Sequence, residues 1–535
     1  MSSVASLVRL AIIVLVFIGI SAYLIRRSHL APRQTQIVSN LVLGYAVIQF
    51  IFMMFLWINH MSFPFNLETM ELTVLAHTRR ILDGLPLYSE SSPEFVALAY
   101  NPLYYFLSVP FVRLFGANLF TMRLVSVLGM LGSGLMIFLI VRKGTGSGWW
   151  GLISVGLFAA AYRVMETYLD NAFPDSWMLF TILLGCFLID QNRSWITNLA
   201  GILLLVSSYW FKQPGAVFAI GALVYLTWRD GFRKSWPFWL IALVLGPGLY
   251  YALPNGYIGA RFHYFTSGIP RQWIQFDWRN ILRVLLFLTS SYFFLAIISL
   301  AISVLVLLRE RNRSSIWFWM LPFAIVSCFP GFLDPESANN LYIALGVWFI
   351  ITGMIGLKEL TKRYISLEQK GIYLAVIVAS FALFFYNPMN VIVTSQAHKA
   401  YRDLTVLLKT YDGTIYAPWI GQLQDTYKLY PSVHWVPMVD MIRPGYEWKI
   451  NPLTTELLQP VISPSGNAYI LVNYPLKEDP ILYFLSDYYV LEADFGERFA
   501  PLKQLPKRFD IGWPRYLYRY APKDTATRTE IAHNP

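Results

Sequence analysis

The chain has 535 residues, of which 56% are hydrophobic and 17% aromatic, while only 14% are charged. Soluble domains carry about a quarter charged residues, so this composition excludes an ordinary water-soluble protein and indicates a polytopic membrane protein. The formal net charge of +11 then reads as positive-inside loops and attraction to membrane lipids, and no nucleic-acid partner is expected.

Membrane spans need roughly 17–25 mostly apolar residues. Runs of this kind lie near 6–25, 38–58, 119–141, 149–164, 175–190, 195–210, 214–228, 237–254, 281–308, 315–331, 340–357 and 370–388, about twelve in all. The first lacks a small-residue cleavage pattern and is followed by Arg26 and Arg27, so it is expected to be a retained span, not a signal peptide. Arg142 and Lys143, Arg193, Arg229 with Arg233 and Lys234, Arg309 to Arg313, and Lys358 with Lys362 fall in alternate loops, which face the cytoplasm by the positive-inside rule. The complementary loops and everything after about residue 390 then lie outside. Arg79, Arg80, Arg261 and Arg271 go against this rule, and an anionic ligand is one reason for them. Cys186 and Cys328 stand alone in apolar runs, as small buried hydrophobes with no disulfide implied.

The outer loop 59–105 is long for a connection between spans and holds Glu68 and Glu71, one helical turn apart. Either acid, tuned by burial, can accept the proton of an attacking hydroxyl. The plainer reading has them capping a helix or pairing with Arg79 or Arg80. The segment YNPLYYFL that follows, with Tyr104, is either an aromatic belt at the interface or the wall of a lipid groove.

Three further constellations sit at the outer ends of later spans. In YLDNAFPDSW, Asp175 follows Pro174 and suits a helix start, whereas Asp170 has no evident capping role. Acids at the membrane face are costly and carry a functional expectation. In SYWFKQPG, Lys212 and Gln213 interrupt two apolar runs, where the lysine can bind a lipid phosphate or snorkel to the surface. In GFLDPESANNLY, Asn339 and Asn340 open a span, as caps or as ligands of sugar and phosphate oxygens, while Asp334 and Glu336 are expected to be solvated. Four nearby acids could hold a divalent metal, but no ligand spacing demands one and no cofactor is expected.

From about Gln396 the composition changes. TIYAPWIGQLQ, AYILVNY and YLYRY are short alternating or β-branched runs separated by turns such as SPSGN, as in a small α+β domain. The expected organisation is N-terminal spans over 1–58, an outer catalytic loop with juxtamembrane helices over 59–118, a transmembrane core over 119–390, an extracytoplasmic domain over 391–522 and a disordered tail over 523–535.

Taken in order, ELTVLAHTRRILDGLPLY, FVALAYNPLYYFL, RLVSVLG, YLDNAFPDS, WFKQPG and the Asn-Asn span start resemble the multispanning glycosyltransferases of the GT-C fold. These include protein O-mannosyltransferases and the lipid A aminoarabinose transferase. The resemblance covers most of the membrane part and implies an all-α polytopic domain whose first outer loop supplies the catalytic carboxylate. It aligns Glu71 with that position, with Glu68 as the fallback, and Asp175 with the acid opening the later span. Two departures stand out: the Asp-Glu pair of the best-known members is absent from the loop, and an extra span precedes the usual first one.

The reading that follows is an inverting glycosyltransferase using a polyprenyl-phosphate sugar donor and a lipid, glycan or protein acceptor. Glu71 is the expected base, and Lys212 with Arg261 or Arg271 stabilises the departing phosphate. No Gly-rich phosphate loop is needed, since the donor arrives in the membrane. A ligase or polymerase of lipid-linked glycans would keep the fold and change the donor. A transporter or flippase predicts mid-membrane charges and two related halves, and neither is evident here.

Overall fold

A computed structural model describes residues 3–25, 32–309, 315–364, 371–420, 434–442, 457–479, 482–503, 505 and 512–521. The membrane part is a helical assembly. Helices α1 (Ser3–Ile25) and α2 (Pro32–Met61) lead into a long loop that holds α3 (Glu71–Leu82) and α4 (Leu103–Phe115). The core continues through α5 (Leu119–Thr145), α6 (Gly148–Ala160), α7 (Asp175–Gln191), α8 (Trp195–Phe211), α9 (Gly215–Asp230) and α10 (Phe232–Leu243). A π-helical turn around Pro247 joins α10 to α11 (Leu249–Ala252), and α12 (Ile269–Gln272) precedes the long α13 (Trp278–Arg309). Three short helices, α14 (Ile316–Trp319), α15 (Leu321–Val326) and α16 (Phe329–Leu333), then lead to α17 (Ile343–Tyr364) and α18 (Gly371–Leu383).

Local sequence explains several of these boundaries. The Asn118 side chain accepts from the Thr121 amide to start α5, and Gly146 ends it in the left-handed region at φ 70°. A capping box of Ser194 and Thr197 starts α8. The small residues lie where helices touch. A Cβ on Gly346 would collide with the Tyr292 ring, and Gly353 and Gly356 approach Leu295 and Ile302, so α17 packs closely on α13. Without a hydrophobic force between helices in lipid, such close approach is what holds them together.

Among the described residues, five helices are long and apolar enough to cross a membrane unaided, or six if the pair Gly371–Leu383 and Pro388–Leu408, bent by 42°, counts as one. Length alone therefore does not reach the expected number of about twelve. Helices α6 to α9 have only 13–17 residues each, and α13 kinks at Tyr292, where φ is −115° and ψ 17°. Both expected lone cysteines are buried and free.

Beyond the membrane helices, α19 (Ser395–Leu408) lays its buried Ala397, Ala400, Tyr401, Leu404 and Leu408 inward. A four-stranded sheet follows, from β1 (Thr414–Tyr416), β2 (Ala468–Val472), β3 (Tyr489–Asp494) and β4 (Tyr516–Tyr520), in the order β1-β2-β4-β3. The β1–β2 pair is parallel and the other two pairs are antiparallel, with an irregularity at Leu491 and Ala493. Central β2 is buried at all five positions, as its apolar AYILV run requires. Helix α20 (Trp435–Ile442) lies between β1 and β2 in sequence. The small α+β domain expected after the spans is present; the expected disordered tail, 523–535, lies outside the described residues.

Candidate active site

Loop 59–105 is braced by its own cations. Arg79 donates to the Ala117 carbonyl, and Arg80 donates to the Pro86 carbonyl and the Ser89 hydroxyl while covering the Phe95 ring at 4.1 Å. His77 donates from Nδ1 to the Thr73 carbonyl and accepts the Leu98 amide proton on Nε2 at 3.0 Å. Burial, reinforced by the nearby Arg80 charge, holds the imidazole neutral, with its pKa down to about 3 despite the Thr73 hydrogen bond. The histidine stacks on Tyr105 and so fixes the 98–100 stretch. A second brace comes from 257–261. Leu87 and Tyr88 donate to the carbonyls of Tyr257 and Ile258, and Gly259 lies so close to Tyr88 that no side chain fits there.

Glu71 and Glu68 face different environments. Glu71 is fully buried, and each of its oxygens accepts two hydrogen bonds. Arg123 Nε and the Ala172 amide donate to Oε1 at 2.8 and 3.0 Å, and Arg123 Nη2 and the Leu67 amide donate to Oε2 at 2.6 and 2.7 Å. Burial alone would raise its pKa, but the Arg123 charge and these donors hold it below the usual carboxylate range. Arg123 also donates to the carbonyls of His60, Phe63 and Phe65. Glu68, in contrast, accepts from the Thr69 hydroxyl and the Met70 amide on its own turn, and it lines a cavity.

That cavity measures about 950 Å³. Loop 59–105 supplies Glu68, Ala99 and Tyr100, the α8–α9 corner Lys212 and Gln213, the α12 region Arg271 and Trp273, and the 333–341 turn Asp334, Glu336 and Asn340. The C-terminal domain closes it with Trp419, Trp435, Asp440, Tyr474 and Glu478. Lys212 sits over the Tyr100 ring at 5.3 Å and donates to both carboxylate oxygens of Asp175 at 2.8 and 3.0 Å. Gln213 donates to the carbonyls of Ala99 and Thr266 and so ties two walls together. Among the described residues, Arg271 has no ion-pair partner.

Of the residues singled out in the sequence, the cavity thus gathers Glu68, Lys212, Gln213, Arg271 and Asn340. Asp334 and Glu336, expected to be solvated, line it as well. The other candidates lie elsewhere. Asp175, the first residue of α7, makes no cap hydrogen bond and reaches the cavity only through Lys212. Glu71 stands behind the wall with Arg123. Asp170 accepts from the Tyr162 hydroxyl at 2.6 Å and pairs with His60 at 2.6 Å, joining α2 to the loop after α6. Arg261 pairs with Glu90 at 2.6 Å on the exposed surface and does not line the cavity. The Tyr104 hydroxyl turns into α5, donating to the Met122 carbonyl and bonding Ser126. Asn339 donates its amide proton to Glu166 at 2.9 Å.

Sequence reasoning did not single out Glu166, His77 or Arg123. Glu166 and Thr167 both hold left-handed backbone, at φ 52° and 64°, a costly pair for residues with side chains. The buried Glu166 carboxylate repays this by capping the turn that brings Asn340 to the cavity.

Residues 99–251 match the family model of dolichyl-phosphate-mannose-protein mannosyltransferases. No curated protein matches the chain in sequence. Two crystal structures of ArnT from Cupriavidus metallidurans are similar in fold. The apo structure has a TM-score of 0.50 and the structure bound to undecaprenyl phosphate one of 0.52. Each is 11% identical to this chain, over 90% of this chain and 99% of that one. The family match carries the enzyme class, a glycosyltransferase of the GT-C type, and the two structures carry the fold.

Proposed function

We propose that this membrane glycosyltransferase moves a sugar from a polyprenyl phosphate to an acceptor on the outer face of the cytoplasmic membrane, with Glu68 as the base. The observation that carries the reading is the cavity shared by Glu68 and the cations Lys212 and Arg271. Undecaprenyl phosphate in the similar ArnT structure supports a lipid-linked donor. The alternating basic loops support the outward orientation.

In this reading the donor phosphate lies against Arg271, which has charge to spare, and Lys212, whose position Asp175 fixes. Acceptor oxygen attacks the anomeric carbon from the face opposite the phosphate. Glu68 takes the hydroxyl proton as that bond forms. The carbon–oxygen bond to phosphate breaks, its electron pair leaves with the polyprenyl phosphate, and the configuration inverts. The leaving group is already anionic, so it needs charge stabilisation more than protonation. Glu71 is a poor base because four donors hold its charged form; its part is to fix the loop that carries Glu68.

The test is binding of undecaprenyl phosphate to the purified chain, followed by native mass spectrometry. Lys212→Ala and Arg271→Ala should each weaken it at least tenfold, while Glu68→Gln leaves it within a few-fold. Arg271→Ala is the deciding variant if loss of Lys212, which strands Asp175, impairs folding. Equal binding by the parent and both cation variants would overturn the assignment of the phosphate site.

A further inference from the structure

The C-terminal domain gives one wall of the cavity a chemistry unlike the rest. Trp435, half-buried, leans on Trp419 with ring centroids 4.5 Å apart. Trp419 is pinned by donating its indole N–H to Asp479 at 2.6 Å, and Tyr474 meets it edge-on at 5.5 Å. The half-buried Trp273 donates to the Asp440 carbonyl at 3.1 Å, which clamps α20 to the α12 region. The wall is an aromatic face held in place before any ligand arrives. The Trp435 indole N–H is shielded from solvent and has no hydrogen-bond partner among the described residues.

The charges around this face are one-sided. Among the described lining residues, Glu68, Asp334, Glu336, Asp440 and Glu478 are acidic, while only Lys212 and Arg271 are basic. Both cations come from the membrane part, and both acids of the C-terminal domain stand on the aromatic side. A second phosphate or carboxylate on the acceptor would therefore meet like charge. A peptide would need its backbone groups paired, and the described lining residues offer side-chain acceptors but no strand edge for that. A sugar ring suits both halves of the wall. Its C–H face is apolar and electropositive, so it packs on the electron-rich face of an indole. Its hydroxyls donate to carboxylates.

We infer that the C-terminal domain is the acceptor-reading part of the enzyme, and that its Trp435 platform with Glu478 and Asp440 binds an uncharged saccharide. The inference rests on the proposed transfer reaction and names its acceptor class. The donor phosphate occupies the cation side, the acceptor sugar the aromatic side, and Glu68 lies on the wall of the same cavity.

The experiment uses the full chain in fluorescent nanodiscs on an array of oligosaccharides, uncharged or bearing phosphate or uronic acid. Uncharged glycans should be retained, and their charged counterparts should bind at least tenfold more weakly. Trp435→Ala should lose tenfold or more of that binding, Glu478→Gln several-fold, and Trp435→Phe, which keeps a ring, should retain most of it. Undecaprenyl phosphate binding by the same preparations reports that each variant is folded and separates the two readings. If the parent binds that lipid but retains no uncharged glycan, or retains only charged ones, the acceptor inference falls and the donor site stands. Glycan binding that Trp435→Ala and Glu478→Gln leave untouched would likewise overturn it. If glycans bind as described and the lipid does not, the donor assignment falls instead.

Discussion

Arg123 and Glu71 form a two-pronged ion pair with no solvent contact, guanidinium nitrogens lying 2.8 and 2.6 Å from the two carboxylate oxygens. The pair joins loop 59–105 to α5, and through the Ala172 amide to the turn before α7. Burying such charges is repaid only with every donor and acceptor engaged, and here the surrounding carbonyls and amides engage them. Removing one partner strands the other. Glu71→Ala should therefore cost about 3–5 kcal/mol of stability. Thermal unfolding of the purified chain should show a large drop, with Glu71→Gln intermediate because it keeps the shape and part of the hydrogen bonding. An unchanged unfolding midpoint for Glu71→Ala would remove its bracing role.

The His77 imidazole gives the loop a pH dependence of definite sign. Its pKa is about 3 in the folded chain against an ordinary 6.5, so between these values the unfolded state binds more protons. Its stabilising contribution is full above pH 6.5 and is lost as the pH falls towards 3. His434, buried beside Trp435, is also depressed to about 3 by burial, against a hydrogen bond with Trp419 that raises it, and acts in the same direction. The unfolding midpoint should fall on acidification through this window, and His77→Gln should flatten the slope. A midpoint that rises towards pH 4 would contradict the assignment.

Sidedness can be read with introduced cysteines, because both native ones are buried. Leu85→Cys in loop 59–105 and Ser463→Cys in the C-terminal domain should both react with an impermeant thiol reagent on intact cells. Arg193→Cys, in a basic loop, should react only after the membrane is opened. Labelling of just one of the first two would break the parity on which the outward site depends.

Much of the cavity was legible in the sequence because polar residues that interrupt apolar runs need a reason: Lys212, Gln213 and Asn340 announce themselves in this way. The choice between Glu68 and Glu71 was not legible. Helical spacing places both acids near one face, and what separates them is Arg123, 52 positions further on. An arginine inside a run read as a plain span was itself a signal, since a charge at that depth calls for a named partner. Asp170 is a similar case: its partners His60 and Tyr162 come from segments that carry no local pattern linking them. The expectation for Arg261 and Arg271 came from sidedness alone, which cannot tell a cation paired with Glu90 from one facing a cavity. The left-handed pair Glu166 and Thr167 has no glycine or asparagine to announce it, so the cap on Asn339 emerges only from the assembled fold.

In the proposed reaction Glu68 removes the acceptor's proton. The most direct measurement is mass spectrometry of envelope glycans from cells lacking the protein, complemented with the parent chain, Glu68→Gln or Glu71→Gln at matched membrane levels. The parent should restore a mass increment of one sugar. Glu68→Gln keeps the size and hydrogen bonding of the side chain but cannot accept a proton, so transfer should fall by about 10²-fold or more. Glu71→Gln, wherever it folds, should restore the increment in proportion to its folded amount. Full restoration by Glu68→Gln, together with none by a folded Glu71→Gln, would return the base to Glu71 and contradict this account.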